Sequence, residues 1–296
     1  MTNATTRHDF TAQRRIAAAS TDPRRPRLGG LLAASLVLVT AFGTVGPTAP
    51  AAAQDMLQYL DLKSDEFTKA DVTRSEIEAM IAARSANAPI DLSARRLNGL
   101  DLSGLDLSGA NLQSARLNDA KLTGANLDRA VLDQAWALGS DFTGASFKGA
   151  SLFSTQLMGA KLDGADFTGA RVAADFSRAS LERATFTGAD LSADMRNQSM
   201  GLMRGVFRSS NLTGATFRGA NLARVVLEYA RLNGADLTDA NLKGAELGGA
   251  DLTGATVKGA DFEETDVNSA KLLRLDGKAE ARNLSAAVNL DRAFTD

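Results

Sequence analysis

The sequence predicts an all-β solenoid, a four-sided parallel β-helix of about nine coils with short helical caps at both ends. Three observations lead to this prediction. A large apolar residue recurs at every fifth position from Leu92 to Leu272, and a small residue, usually Ala, stands two positions before most of these residues. All five prolines lie before Ile90, as expected when every later backbone amide donates to a ladder.

A period of five residues fits neither an α-helix nor a straight strand. Steps of five advance an α-helix by about 140°, which spreads the leucines around the whole cylinder. In a strand, an odd step sends alternate side chains to opposite faces. The pattern is satisfied when the chain turns after each five-residue unit, so that four units close one coil and stacked coils pair about 4.8 Å apart. Of the central positions, all but Ala137 and Arg196 hold Leu, Phe or Val.

Residues 1–53 are expected to form a secretory signal peptide that is cleaved after Ala53. A basic stretch ending at Arg27 precedes an uncharged apolar run over 28–46, and three alanines ending at Ala53 supply the cleavage site. The run is also long enough to span a bilayer, so an uncleaved anchor is the alternative. Cleavage predicts a periplasmic or secreted protein with no membrane insertion after the signal is removed, and export by the Sec or the twin-Arg route stays open.

Residues 54–89 are predicted to cap the first coil, because an open solenoid end exposes core and unpaired strand edges. The run Thr-Arg-Ser-Glu beginning at Thr73 is a capping box. It opens a helix that extends to about Ala86, with one apolar face formed by Ile77, Met80 and Ile81.

The repeat itself occupies residues 90–275, and residues 276–296 are predicted to cap the last coil. The five-residue period ends after Leu275. A short helix over 278–288 is expected there, with Leu284 and Val288 on one face.

The units ANLQS, AKLTG, ANLDR, ADFTG, ANLKG and ADLTG resemble the pentapeptide-repeat family. The resemblance implies a right-handed quadrilateral β-helix. Some relatives mimic duplex DNA and bind the topoisomerase gyrase, and some of those pair through a C-terminal element. The resemblance therefore leaves open a homodimer formed through residues 276–296. It also leaves a DNA-mimicking gyrase-binding protein as the alternative to the leading interpretation, a non-enzymatic interaction or structural scaffold in the cell envelope or secreted.

The charge argues against nucleic-acid binding. The whole chain has a net charge of −2, and removal of residues 1–53 takes away six Arg and two Asp, which leaves about −6. The charges are also mixed, unlike those of a uniformly acidic DNA mimic. One face is expected to carry a ladder of Asp101, Lys121, Asp141 and Lys161, and another a ladder of Arg231, Asp251 and Lys271.

The composition argues against an enzyme. The chain has no cysteine, and its only histidine, His8, lies in the segment expected to be removed. The mature chain then lacks the usual general base near neutral pH, the thiol nucleophile and the imidazole metal ligand. No catalytic residue, cofactor or metal site is predicted.

The repeat is irregular at places that are expected to share one face. The central residue Ala137 is small, and the residues on either side of it, Trp136 and Leu138, are expected to point outward. The phase slips back by one residue between Val172 and Phe176, and it recovers after Leu191 through a defective unit before resuming at Leu202.

Exposed apolar side chains next to arginines are typical of protein-binding patches. The face with the irregular units is therefore the candidate site for an unknown protein partner. Its residues are Arg96, Arg116, Trp136, Leu138, Met158, Met195 and Arg196. The alternative is that Trp136 and Leu138 only cover the gap left by the small Ala137.

Overall fold

The computed structural model describes residues 60–85, 88–193 and 203–296, and from residue 90 onward these form a stack of four-sided coils. The expected signal peptide with its cleavage site lies outside the described residues, as do Met195, Arg196 and Leu202.

Parallel backbone bridges join each unit to the unit one coil later, and they form four ladders, each named here by its first residue. The Asp91 face runs Asp91, Asn111, Val131, Ser151, Arg171, Asp190, Asn221, Asn241, Asp261 and Arg282. The Arg96 face runs Arg96, Arg116, Trp136, Gln156, Asp175, Val206, Val226, Glu246, Asp266 and Val288. The Asp101 face runs Asp101, Lys121, Asp141, Lys161, Ser180, Asn211, Arg231, Asp251, Lys271 and Phe294. The Asp106 face runs Asp106, Asn126, Ser146, Asp166, Thr185, Thr216, Asp236, Thr256 and Asp276.

The regular five-residue units share one layout, which the five residues from Ala110 illustrate. Ala110 and the central residue Leu112 are fully buried, as predicted. The leading residue Asn111 and the trailing residue Gln113 lie outside, and the corner residue Ser114 turns the chain with a left-handed φ of 57°. Small and large side chains thus alternate around the interior and fill it.

The trailing residue has the one N–H group of the unit that the ladders do not use. The other four N–H groups donate to backbone carbonyls, as Leu112 N does to Val131 O at 2.7 Å. In units that begin with Asp or Asn, the leading side chain accepts a hydrogen bond from the N–H of the trailing residue. Asp251 Oδ1, for example, accepts from Thr253 N at 3.0 Å. A buried N–H without an acceptor is costly, which explains why Asp and Asn recur at the leading position.

The predicted phase slip between Val172 and Phe176 is confirmed. The coil there is one residue shorter, because Asp175 pairs with Gln156 of the coil before it. Ala173 and Ala174 are both buried at the side where the coil is one residue shorter.

The prediction that the ladder continues through Arg196 and Leu202 is wrong. The rung that pairs with Asp175 is Val206, and Gly205 N donates to Leu191 O at 2.9 Å. Phe207 accordingly stacks on Phe176, with ring centroids 4.8 Å apart. A five-residue count along the sequence does not show which unit follows Leu191 in the ladders.

This shift also corrects the predicted position of the charge ladders. Arg231, Asp251 and Lys271 lie on the Asp101 face, together with Asp101 and Lys121, and not on a separate face. The ladders contain two units fewer before Arg231 than the sequence predicted. Each unit after this point therefore lies two sides of the coil away from its predicted face.

Two short helices precede the first coil: α1 at Asp65–Thr68 and α2 at Arg74–Ala83. The predicted capping box is present, since Thr73 N donates to Glu76 Oε2 at 2.7 Å and Glu76 N to Thr73 Oγ1 at 3.3 Å. Ile77 is fully buried in the core of the stack, and α2 therefore covers its first end. The helix ends at Ala83, short of the predicted end. Across the described ranges, no helix has both the length and the apolar character needed to cross a membrane.

The helix predicted over 278–288 is wrong, because the ladders continue to Phe294. Three single-turn 3₁₀ helices lie on the last coil, at Lys278–Glu280, Leu284–Ala286 and Leu290–Arg292. Each is preceded by a left-handed residue, and these residues, Gly277, Asn283 and Asn289, recur at every sixth position.

The six-residue sides of this coil pair with the five-residue sides before them. Strands β1 at Lys271–Leu272 and β2 at Phe294–Thr295 form the last of these pairs. Leu284 is buried, whereas Val288 is 45% exposed because it is a leading residue of the ladder.

Gly277 is required at its corner for two reasons, its left-handed φ of 72° and its contact with the previous coil. A Cβ there would lie 2.8 Å from Lys258 Cβ, whereas a Cβ at Gly254, with φ of 73°, would meet nothing within 4 Å. We expect Gly254→Ala to lower the free energy of unfolding by about 1 kcal/mol and Gly277→Ala to lower it by about 1–3 kcal/mol more. Urea denaturation measures both, and equal losses would contradict the role of the contact.

Asp251 makes the stability of the coils depend on acid. Burial alone would raise its pKa, but hydrogen bonds from Thr253 and from Lys271 Nζ at 3.2 Å outweigh burial and lower the pKa to about 2. The unfolded value is about 3.9, so this contribution is complete above pH ~4 and is lost as pH falls through ~2.

We therefore expect Asp251→Asn to flatten the decline in the free energy of unfolding between pH ~4 and ~2. Asn keeps the turn, since Asn241 accepts the same bond from Lys243 N at 3.1 Å. Asp251→Ala should lose about 1–3 kcal/mol near neutral pH. An Asn variant with the unchanged pH slope in urea denaturation would refute this assignment.

Candidate functional site

The structure brings the five described candidate residues together on the Arg96 face. Arg96, Arg116 and Trp136 are consecutive leading residues, while Leu138 and Met158 are trailing residues of neighbouring coils, and all five are half-buried. Met195 and Arg196 lie outside the described residues, and the rung assigned to Arg196 is filled by Phe207.

The chain's own α1 lies over this face, which the sequence analysis did not predict. Phe67 of α1 is 8% exposed, although it does not belong to the core of the stack. Its ring packs edge-on against Trp136, with centroids 5.4 Å apart, and the Arg116 guanidinium lies 5.2 Å from the centroid of the Phe67 ring. Trp136 and Arg116 thus form a seat for one aromatic side chain.

Two buried asparagines attach the same segment by its backbone. Asn98 Nδ2 donates to the carbonyls of Glu66 and Lys69, both at 3.1 Å, and Asn118 Nδ2 donates to Phe67 O at 3.3 Å. These carbonyls lie at the C-terminal end of α1, where a helix has no N–H donors of its own left to satisfy them. The amides therefore cap α1.

The side-chain oxygen of each asparagine accepts a hydrogen bond from a backbone N–H of the next coil. Asn98 Oδ1 accepts from Asn118 N at 3.1 Å, and Asn118 Oδ1 accepts from Leu138 N at 3.0 Å. This is the bond that a leading Asp supplies elsewhere. Sequence reasoning missed both asparagines. Their signal is Asn at the trailing position of two consecutive coils whose leading residue is Arg.

Charged groups complete the contact. Glu66 forms an ion pair with Arg116, whose Nε is buried and has no hydrogen-bond partner among the described residues. Burial alone would raise the pKa of Asp71, but hydrogen bonds from Arg95 Nε at 3.0 Å and from Arg96 N at 3.1 Å hold it below its usual value. Asp71 N also donates to Arg96 O at 2.9 Å, so Asp71 closes the open edge of the first rung.

The free-energy contributions of the individual contacts show which of them contributes most to the docking of α1. Burial of a phenylalanine contributes about 1.5–3 kcal/mol, and its edge-on contact with Trp136 about 0.5–1.5 kcal/mol. The side chain of Glu66 is 55% exposed, so its ion pair contributes only about 0–1 kcal/mol. Fixing the backbone costs about 1–2 kcal/mol per residue. Phe67 therefore provides most of the attraction, and the net docking energy is a small difference.

The Arg96 face holds the chain's own segment around Phe67. It offers an aromatic seat, a cation and two amide donors directed at carbonyls. Within the described ranges, no group of three or more His, Cys, Asp or Glu side chains is placed to hold a metal ion. Carboxylates such as Asp91 and Asp101 have a pKa below the usual value because each accepts hydrogen bonds from its own turn, at Ser93 and Ser103 respectively.

Trp136, the only tryptophan of the chain, reports on this seat. We expect Phe67→Ala to shift its fluorescence to longer wavelength and to increase its quenching by acrylamide, because about 2–4 kcal/mol of local contact is lost. Cooperative unfolding of the coils should change by less than about 1 kcal/mol, since α1 detaches locally.

Ile77→Ala is the matched control. It should cost about 2–5 kcal/mol of unfolding free energy, because Ile77 is fully buried in the core, and leave Trp136 emission unchanged. Unchanged emission in Phe67→Ala would mean that Phe67 does not shield Trp136.

A protein-family model described as pentapeptide repeats matches the chain in eight copies, over residues 90–124, 125–169, 155–193, 206–239 and 230–268. The matches stop at 193 and resume at 206, where the ladder passes from Leu191 to Val206. No curated protein matches the chain.

Several solved structures are similar to this chain. HetL, a pentapeptide repeat protein involved in heterocyst differentiation regulation from the cyanobacterium Nostoc, is 27% identical, with 75% of this chain and 99% of that chain covered and a TM-score of 0.36. Full-length QnrB1, a plasmid-mediated fluoroquinolone resistance protein, is 17% identical, with 68% and 91% covered and a TM-score of 0.35. A pentapeptide repeat protein from the Arabidopsis thaliana thylakoid lumen is 26% identical, with 40% and 68% covered and a TM-score of 0.24.

The matches of the family model decide the assignment. They cover more than half of the residues and fall on the coils themselves. Members of this family fold as right-handed β-helices, in agreement with the parallel ladders and the four sides. The chain belongs to the pentapeptide repeat family.

Proposed function

We propose that this chain is an exported, non-enzymatic scaffold that binds a protein partner on the Arg96 face. Pentapeptide repeat proteins are generally scaffolds or binding proteins rather than enzymes. The observation that carries the proposal is that this face already holds a polypeptide segment through Trp136, Arg116, Asn98 and Asn118. A partner is expected to contact this seat and the apolar side chains that continue it, Leu138 and Met158.

Export to the periplasm or the medium is part of the same proposal. It is supported by the basic stretch, the apolar run and the small residues within 1–53. A chain without cysteine also needs no disulfide to fold after export.

The charge pattern favours this proposal over a DNA-mimicking, gyrase-binding protein. The Asp101 face alternates in sign along much of its length, and Lys271 Nζ lies 3.2 Å from Asp251 Oδ2. A face that imitates duplex DNA would carry negative charge throughout. Fractionation of cells distinguishes the two ideas, because gyrase binding requires an uncleaved cytoplasmic chain.

An affinity capture from envelope extract tests the partner site. We expect the double variant Leu138→Ser, Met158→Ser to reduce capture by about tenfold, equivalent to about 1.4 kcal/mol of binding free energy. Phe153→Ser is the matched control, because Phe153 is also a half-buried trailing residue but lies on the Asp91 face.

Circular dichroism should show that both variants keep the β-helix. Capture of the same proteins in the same amounts by wild type and by the double variant would refute the proposed partner surface at Leu138 and Met158.

A further inference from the structure

The position of α1 is not explained by the need to cap the stack. The first end is closed by Ile77 of α2 in the core and by Asp71 on the edge of the Arg96 rung. Phe67 instead lies on the side of the stack, over rungs that are already paired: Arg116 N donates to Arg95 O at 2.9 Å, and Leu117 N to Trp136 O at 2.6 Å. A completed β-helix face needs no cover.

The contacts define what the face accepts. The amides of Asn98 and Asn118 bind backbone carbonyls at the end of one helical turn. These contacts do not depend on which side chains the bound segment carries. The contacts to side chains of the segment around Phe67 come from Trp136 and Arg116. Trp136 and Arg116 contact an aromatic ring, and Arg116 pairs with the acidic residue directly before it.

The fit of the present occupant is incomplete. Arg116 Nε is buried and finds no acceptor among the described residues, while the Glu66 side chain remains 55% exposed. A segment that placed its carboxylate across both Nε and Nη2 would bind Arg116 through two bonds instead of one.

We propose that the Arg96 face is a docking site for a single helical turn that carries an acidic residue followed by an aromatic residue. Residues 64–69 occupy this site in cis, and a partner segment of the same chemistry displaces them. This inference rests on the proposed function, because it names the partner segment for the same face.

Occupancy in cis sets a threshold for the partner. A tethered segment acts at an effective concentration on the order of millimolar, and a competitor sees only the fraction of chains whose site is open. A partner therefore needs contacts outside the seat, and Leu138 and Met158 lie where such contacts would form. Weakening of the cis segment should have the opposite effect and open the site to a simple peptide.

The test uses the full chain carrying Phe67→Ala and a synthetic peptide of residues 64–71, Ser-Asp-Glu-Phe-Thr-Lys-Ala-Asp. Titration should return Trp136 emission toward shorter wavelength and saturate. Wild type should bind the same peptide at least tenfold more weakly, because its own segment competes. A peptide with Ala in place of Phe should have no effect.

Two further variants identify the contacts. Arg116→Gln in the Phe67→Ala background should weaken peptide binding at least tenfold, whereas Arg208→Gln, which removes an ion pair with Glu228 elsewhere on the face, should leave it unchanged. Glu66→Gln provides a second way to weaken the cis segment if Phe67→Ala does not fold, with a smaller gain in affinity expected.

The proposal is overturned if the peptide leaves Trp136 emission unchanged in the weakened chains, or if wild type binds it as tightly as they do. This outcome is separate from the capture experiment. Peptide binding without any effect of Leu138 and Met158 on capture would retain the docking site and refute the partner surface, and the reverse result would refute only the docking site.

Discussion

The backbone N–H of the trailing residue is the constraint on which the surface of this protein depends. In a regular unit the other amides are used by the turn or by a neighbouring coil, so this one must be satisfied by a side chain. A leading Asp or Asn is the shortest solution, as at Asp251 and Asn241. The alternative is an oxygen from the coil before, as when Asp133 Oδ1 accepts from Phe153 N at 2.9 Å.

That alternative makes the candidate site compatible with the fold. On the first coils of the Arg96 face, Asn98 and Asn118 take over the acceptor role, and the leading positions become free for other side chains. Arg116 and Trp136 occupy them and form the seat for Phe67. The same two asparagines thus satisfy the coils with one end and hold a peptide segment with the other.

The parts of the structure that follow from local periodicity were predictable. The coils, the slip near Phe176 and the capping box at Thr73 each depend on residues within a few positions of one another, and each appears as expected. The passage from Leu191 to Val206 was not predictable, because the sequence between these two residues does not keep the five-residue period.

Two further features could not be predicted from the sequence for the same reason. The six-residue sides at the C-terminal end have the spacing of apolar residues that also suits a helix, and only the left-handed Asn283 and Asn289 mark the difference. The docking of Phe67 on Trp136 joins residues far apart in the chain, and pairwise packing of this kind leaves no periodic signal.

The helix α2 has a consequence for how copies of this protein can associate. A head-to-tail contact joins unlike surfaces and can continue without limit, whereas a two-fold contact joins like surfaces and closes. Because Ile77 of α2 is fully buried at the first end of the stack, no other chain can add a coil there without displacing the helix. One occupied end is sufficient to prevent a linear polymer built by end-to-end stacking of coils. At the opposite end, Val288 and Phe294 are exposed, so an end-to-end contact between two copies would join like ends and close as a two-fold pair.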